Sequence, residues 1–182
     1  ARLAFVVSLD AVNFGSGWFP HLRKRPGCSG YFTIASAWKE RFDARGAPSV
    51  DELLALRAQD CAQMFQQDPG NEPVAELMGL FAQALAALGR CLRERHGGSF
   101  AHLVESAGGR AEALVLELAH MPLYRDVAHC DGRTLPFYKR AQLTCSDLDL
   151  AFGGQGWGRF EDLDRLTIFA DNLVPHVLRV EG

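Results

Sequence analysis

The sequence predicts a single, mainly α-helical domain with one short β-hairpin, on three observations. Apolar residues recur at spacings of three and four from Val74 to Leu92, a stripe that a helix keeps on one face. Helix-start signals repeat along the chain, most clearly Ser49 with Glu52 three residues on, and Pro73 ahead of the stripe. Strand signals collect in one place, around Asp131-Gly132, a dipeptide suited to a tight hairpin turn. At 182 residues the chain has the length of one domain, roughly 100–200 residues.

The elements follow in order. Residues 3–9 are apolar and β-branched and read as a short buried strand. Residues 10–20 break all periodicity with glycines and aromatics and read as a loop, and the basic stretch 21–25 reads as a solvated turn. A helix runs from Tyr31 toward Phe42 and stops at Gly46. Another opens at Ser49 and continues through Leu53, Leu54, Leu56 and Cys61 to Phe65, before a turn at 68–71. The long helix begins at Pro73, gathers Arg90, Arg93 and Arg95 where cations favour the helix dipole, and closes at Gly97-Gly98. Ser99 caps a short helix to Ser106, and residues 110–121 form another, halted by Pro122. After the hairpin at 125–136, a helix spans 137–152 and ends at Gly153-Gly154. The final segment, 160–178, is apolar at helical spacing and broken at Pro175.

Composition narrows the function. Nineteen Lys and Arg against twenty-two Asp and Glu give a net charge of −3, which excludes binding a polyanion by overall charge. No apolar run approaches the roughly 20 residues that cross a bilayer, and residues 3–7 are too short for a signal-peptide core, so neither membrane nor secretion is expected. The five cysteines are dispersed without a close pair and read as reduced, mostly buried fillers of a cytoplasmic protein. The six histidines lack metal-site spacing, so no metal or other cofactor is expected. Gly156-Trp157-Gly158 follows a helix rather than a strand, which rules against a dinucleotide loop.

Two carboxylates in apolar surroundings need an explanation, Asp147 and Asp171, because a buried acid without partners is expensive. Each reads as a structural cap or ion-pair partner, or as a desolvated nucleophile, base or cation stabiliser. Lys139 and Arg140 stand at the head of a helix, where positive charge opposes the dipole and suits a bound anion. Residue chemistry thus leads to a helical domain with a carboxylate site for a small anionic ligand.

Six segments carry a resemblance: Leu9-Asp10-Ala-Val-Asn13-Phe14, Cys28-Ser-Gly30-Tyr31, His96-Gly97-Gly98-Ser99-Phe100, Tyr124-Arg125-Asp126-Val127, Phe137-Tyr138-Lys139-Arg140-Ala141-Gln142 and Leu166-Thr-Ile-Phe169-Ala170-Asp171. In that order and spacing the chain resembles the queuosine salvage proteins, the queuosine 5′-phosphate N-glycosylases/hydrolases, over nearly its whole length, as the middle portion of a longer family chain. The resemblance implies a helical fold similar to helix–hairpin–helix DNA glycosylases. It implies hydrolysis of the small-molecule substrate queuosine 5′-monophosphate to queuine and ribose 5-phosphate, recovering the base for tRNA, with no direct nucleic-acid or membrane contact. Asp171 would be the catalytic carboxylate, Lys139 would meet the ribose or phosphate with Arg140 second, and Phe14 and Tyr31 would stack on the base. Asn13 and Asp147 would hydrogen-bond its polar edges, and Phe169 and Asn172 would complete the substrate-binding set. The sequence departs where the family commonly has an aromatic, an arginine and a glutamine after this aspartate; here Asn172, Leu173 and His176 stand there. Two other classes remain, a non-catalytic nucleotide-binding module and a DNA-repair glycosylase, the latter disfavoured by the acidic charge.

Overall fold

Helices joined by short turns, with one two-stranded hairpin, account for residues 1–171 and 173–182, which the structure, a computed structural model, describes. Asn172 lies outside the described residues. The chain divides into two compact units, Ala1–Phe100 and Ala101–Gly182.

The first unit contains α1 (Arg2–Ala11), a 3₁₀ turn (Ser16–His21), α2 (Gly30–Arg45), α3 (Val50–Ala55), α4 (Ala58–Met64) and α5 (Glu72–Arg95). The strand expected over residues 3–9 is a helix. Eight of the ten residues of α1 are buried, so its sides carry no polar rhythm by which a short apolar run declares itself helical. Its buried Ser8 hydroxyl donates to the Ala4 carbonyl and accepts from the Trp38 indole N–H at 3.1 Å. Ser29 caps α2, Gly46 ends it at φ 74°, and Ser49 with Glu52 forms the expected capping box at α3. The continuous helix expected from Ser49 to Phe65 is two: Leu56 turns extended, and the Asp60 carboxylate accepts the Arg57 N–H at 2.9 Å, starting α4 afresh.

The helix α5 carries the predicted stripe. Val74, Leu77, Met78, Phe81, Leu85, Leu88 and Leu92 are all buried, with α1, α3 and α4 packed against the helix. By length and composition α5 passes for a membrane span, contrary to the reading of the linear sequence, but its apolar face is the core of this unit. Phe81 lies edge-to-face with Phe14 at 5.2 Å and with Phe65 at 5.4 Å. Burial pushes the Cys61 thiol up to about 12, so this cysteine is a packing residue and not a nucleophile.

The second unit takes in α6 (Phe100–Glu105) from its second residue on, α7 (Ala111–Leu118), β1 (Val127–Cys130), β2 (Arg133–Pro136), α8 (Lys139–Phe152), 3₁₀ turns at Gly156–Gly158 and Leu163–Arg165, and α9 (Leu173–Glu181). The hairpin pairs Val127 with Pro136 and Cys130 with Arg133, and Asp131 and Gly132 both take left-handed φ, as a type I′ turn requires. α8 packs on α7 and on the Gly156–Gly158 turn. Gly158 permits that approach, since a Cβ there would lie 2.5 Å from the Leu148 carbonyl oxygen. The helical periodicity expected over 160–178 gives instead a 3₁₀ turn, an irregular stretch over 166–171, and α9. Pro175 does not break the last helix. It occupies the first turn of α9, where no intrahelical partner awaits its missing N–H.

Candidate active site

The start of α8 is built by the hairpin before it. The Asp126 carbonyl accepts the Phe137 N–H at 2.9 Å and the Tyr138 N–H at 3.2 Å, which turns the chain sharply out of β2. Tyr138 takes left-handed dihedrals (φ 48°, ψ 36°), a conformation that strains a residue bearing a Cβ by about 1–2 kcal/mol. The next residue, Lys139, reaches Asp171, with its Nζ 3.8 Å from Oδ2. The other oxygen of Asp171, Oδ1, accepts the Leu173 N–H at 2.9 Å, so the carboxylate also helps to start α9. Side-chain exposures of 23% for Lys139 and 39% for Asp171 make this a partly screened pair, worth about 0–1 kcal/mol to stability. Its significance is chemical: a cation and a carboxylate stand together on accessible surface.

Gln142, one turn along α8, bonds the chain segment leading to Asp171. Its Oε1 accepts the Thr167 N–H at 2.7 Å, and its Nε2 donates to Thr167 Oγ1 at 2.9 Å and to the Phe137 carbonyl at 2.8 Å. Beside it, Tyr138, Gln142, Leu166 and Thr167 line a cavity of about 200 Å³, with Asp162 and Arg165 at its wall.

Asp162 is the buried carboxylate of this unit, and it has structural work. Its oxygens accept the Ala111 N–H at 2.6 Å and the Glu112 N–H at 3.3 Å, capping α7, with Arg110 3.6 Å away. Burial raises its pKa, but those N–H donors and the Arg110 charge outweigh it and hold the carboxyl below its ordinary range. A depressed folded-state pKa contributes stability above the unfolded value, about 4, that is lost as pH falls through the folded value. Asp162→Ala should therefore destabilise by about 0.5–2 kcal/mol at pH 7, as loss of a cap does. Urea melts at pH 7 and pH 3 check this, and the gap between variant and parent should narrow at the lower pH.

The residues expected to form the site fall on both units. On the first, Asn13 and Phe14 follow α1, half-buried, with the Asn13 N–H donating to the Asp10 carbonyl at 3.1 Å and the Phe14 ring seated on Phe81. Gly15 holds this loop to α5, for a Cβ there would fall 2.5 Å from Leu77 Cδ1. Tyr31, half-buried in the first turn of α2, lies edge-on to Phe32 at 5.4 Å. On the second unit, Lys139 and Asp171 meet. Arg140 places its guanidinium 4.9 Å from the centre of the buried Tyr124 ring, a cation–π contact. Asp147 is half-buried two turns along α8, about 12 Å from Lys139 by helical rise. Phe169 is half-buried, and Asn172 is outside the described residues.

One expectation needs correction. Asp171 is not desolvated: its apolar sequence neighbours do not wrap it, and Ile168 itself is 68% exposed. An apolar frame in sequence buries an acid only if the segment is packed on several sides, and this stretch lies along the surface. Sequence reasoning also missed Gln142 and Thr167 as partners. The only hint was their place in two segments that helix periodicity did not explain.

Residues 1–182 match throughout the family described as queuosine salvage protein. The chain belongs to that family. Curated relatives named queuosine 5′-phosphate N-glycosylase/hydrolase include one from Sphaerobacter thermophilus, 37% identical across 98% of this chain and 55% of its own length. One from Mus musculus is 32% identical across 98% of this chain and 54% of its own. One from Bos taurus is 40% identical across 82% of this chain and 44% of its own. The chain thus spans about half the length of the curated relatives it matches. The two segments most particular to the family resemblance, at 137–142 and 166–171, are the ones that supply Lys139 and Asp171 to the pair.

Proposed function

We propose that this chain provides the reactive carboxylate and an anion-holding lysine for hydrolysis of the N-glycosidic bond of queuosine 5′-monophosphate, giving queuine and ribose 5-phosphate. The observation that carries the reading is the 3.8 Å approach of Lys139 Nζ to Asp171 Oδ2. The names of the family relatives support the substrate class. As the bond from C1′ to the base nitrogen breaks, positive charge grows on the ribose, and a carboxylate beside the anomeric carbon stabilises it or orients the attacking water. Water supplies its hydroxyl to C1′ and its remaining proton, by way of the carboxylate or solvent, to the departing base nitrogen. A bound nucleotide covering the pair would exclude solvent and strengthen both interactions, which accessible surface by itself leaves weak. Phe14 and Tyr31 serve the flat base by stacking, worth about 1–3 kcal/mol each. The reading calls for no metal or cofactor and places the reaction in the cytoplasm on a free nucleotide.

Incubation with queuosine 5′-monophosphate, followed by chromatography of free queuine, tests the reading; no release above the uncatalysed rate would overturn it. The exposure of Asp171 favours one competing reading, a nucleotide-binding module without turnover. A ligand-induced rise in melting temperature with no queuine released would identify that module.

The lysine assignment has its own test. Lys139→Ala should weaken binding of the monophosphate by about 10- to 150-fold, the equivalent of roughly 1.5–3 kcal/mol for a charge-assisted contact. Binding of the unphosphorylated nucleoside should change little. Calorimetry with both ligands decides, and equal losses would remove Lys139 from the phosphate.

A further inference from the structure

We propose that Gln142 is a positioning residue for the Asp171 carboxylate: its buried amide ties the segment carrying Asp171 to the first turn of α8, where Lys139 stands. The proposal rests on the reading of Asp171 as the reactive group.

The Lys139–Asp171 pair cannot hold the carboxylate in place by itself. Both side chains are partly exposed, and such pairs are screened and nearly neutral in free energy. Residues 166–171 have no regular structure, and their backbone bonds locally, Leu166 N–H to the Leu163 carbonyl at 3.1 Å and Ala170 N–H to the Ile168 carbonyl at 2.8 Å. Gln142 supplies the longer-range tether. It is buried, and three hydrogen bonds of 2.7 to 2.9 Å use both ends of its amide. Those partners also set the amide's orientation. A flipped group would point its NH₂ at the Thr167 N–H and its oxygen at the Phe137 carbonyl, leaving two repulsive contacts.

Geometry turns this tether into a positioning device. Gln142 lies three residues after Lys139, hence on the same side of α8. Thr167 lies four residues before Asp171, at most about 13 Å of extended chain. Pinning Thr167 therefore limits the arc over which Asp171 can move relative to Lys139 and to a ribose held there. Displacement of a reacting group by about 1 Å can lower turnover about 100-fold without weakening binding.

The test uses the whole chain with queuosine 5′-monophosphate. Gln142→Ala should lower kcat about 100-fold with KM changed less than about threefold. Amide hydrogen exchange across residues 167–171 should accelerate at least about tenfold while the rest of α8 keeps its protection. In an Asp171→Asn background, followed in single turnover, Gln142→Ala should add no further loss, because residues acting as a unit are not additive. Gln142→Met keeps the length of the side chain with no donor and only a weak acceptor, so it should slow turnover as the alanine variant does without leaving a cavity. It carries the same readouts if the alanine variant does not fold. Unchanged exchange at 167–171, or equal slowing in both backgrounds, would overturn the proposal. Full turnover by Asp171→Asn alone would overturn the underlying reading of Asp171, and the exchange data would report on the tether separately.

Discussion

Asp171→Asn should lose hydrolysis of queuosine 5′-monophosphate by several orders of magnitude while still binding the nucleotide and folding normally. The substitution retains shape but deletes the negative charge and the basic or nucleophilic oxygen. The charge matters when the sugar becomes cationic, and each tenfold loss corresponds to about 1.4 kcal/mol of barrier. Ground-state binding changes little, because the ribose is neutral before the bond breaks. Folding is insensitive for a reason visible in the structure: the side chain is 39% exposed, and an asparagine oxygen can still accept the Leu173 N–H. Turnover and affinity must be measured on the same purified variant. Full turnover would move the catalytic role to Asp147, since Asp162 has both oxygens engaged at the start of α7. Loss of folding together with binding would make Asp171 a structural acid.

Phe81→Ala should destabilise the protein by about 3–5 kcal/mol, because removing a buried aromatic forfeits its transfer energy and leaves a cavity. Phe81 is completely buried on α5, in edge-to-face contact with Phe14 and Phe65. The loss is a large part of a typical stability of about 5–15 kcal/mol, and a melting temperature lower by roughly 10 °C or more should report it. The variant has a second consequence. Phe14 loses the ring against which it rests, so under its proposed stacking role nucleotide binding should weaken even at temperatures where the variant is folded. A melting temperature within about 2 °C of the parent would show that this face of α5 is not core.

Local signals in the sequence were enough to determine much of this protein. The stripe on α5, the capping box at Ser49, the Asp-Gly hairpin and the helix that ends at Gly153 each depend on residues within a few positions of one another. Such patterns are physical statements about short chain segments and survive without tertiary context. The motif that contains Lys139 and the one that contains Asp171 were likewise legible, although not what joins them.

Tertiary structure decided the rest. Residues 3–9 became helix because burial on nearly all sides erases the alternation that distinguishes helix from strand. The break at Leu56 has no glycine or proline to announce it and depends on the Asp60 carboxylate meeting the Arg57 N–H. The embedded acids turned out to be Asp10 and Asp162 rather than Asp171, since burial is set by what packs over a segment and not by the polarity of its sequence neighbours. Gln142 and Thr167 are separated by 25 positions, and Lys139 and Asp171 by 32. No periodicity spans such distances, and only the return of the chain past the first turn of α8 makes these residues partners.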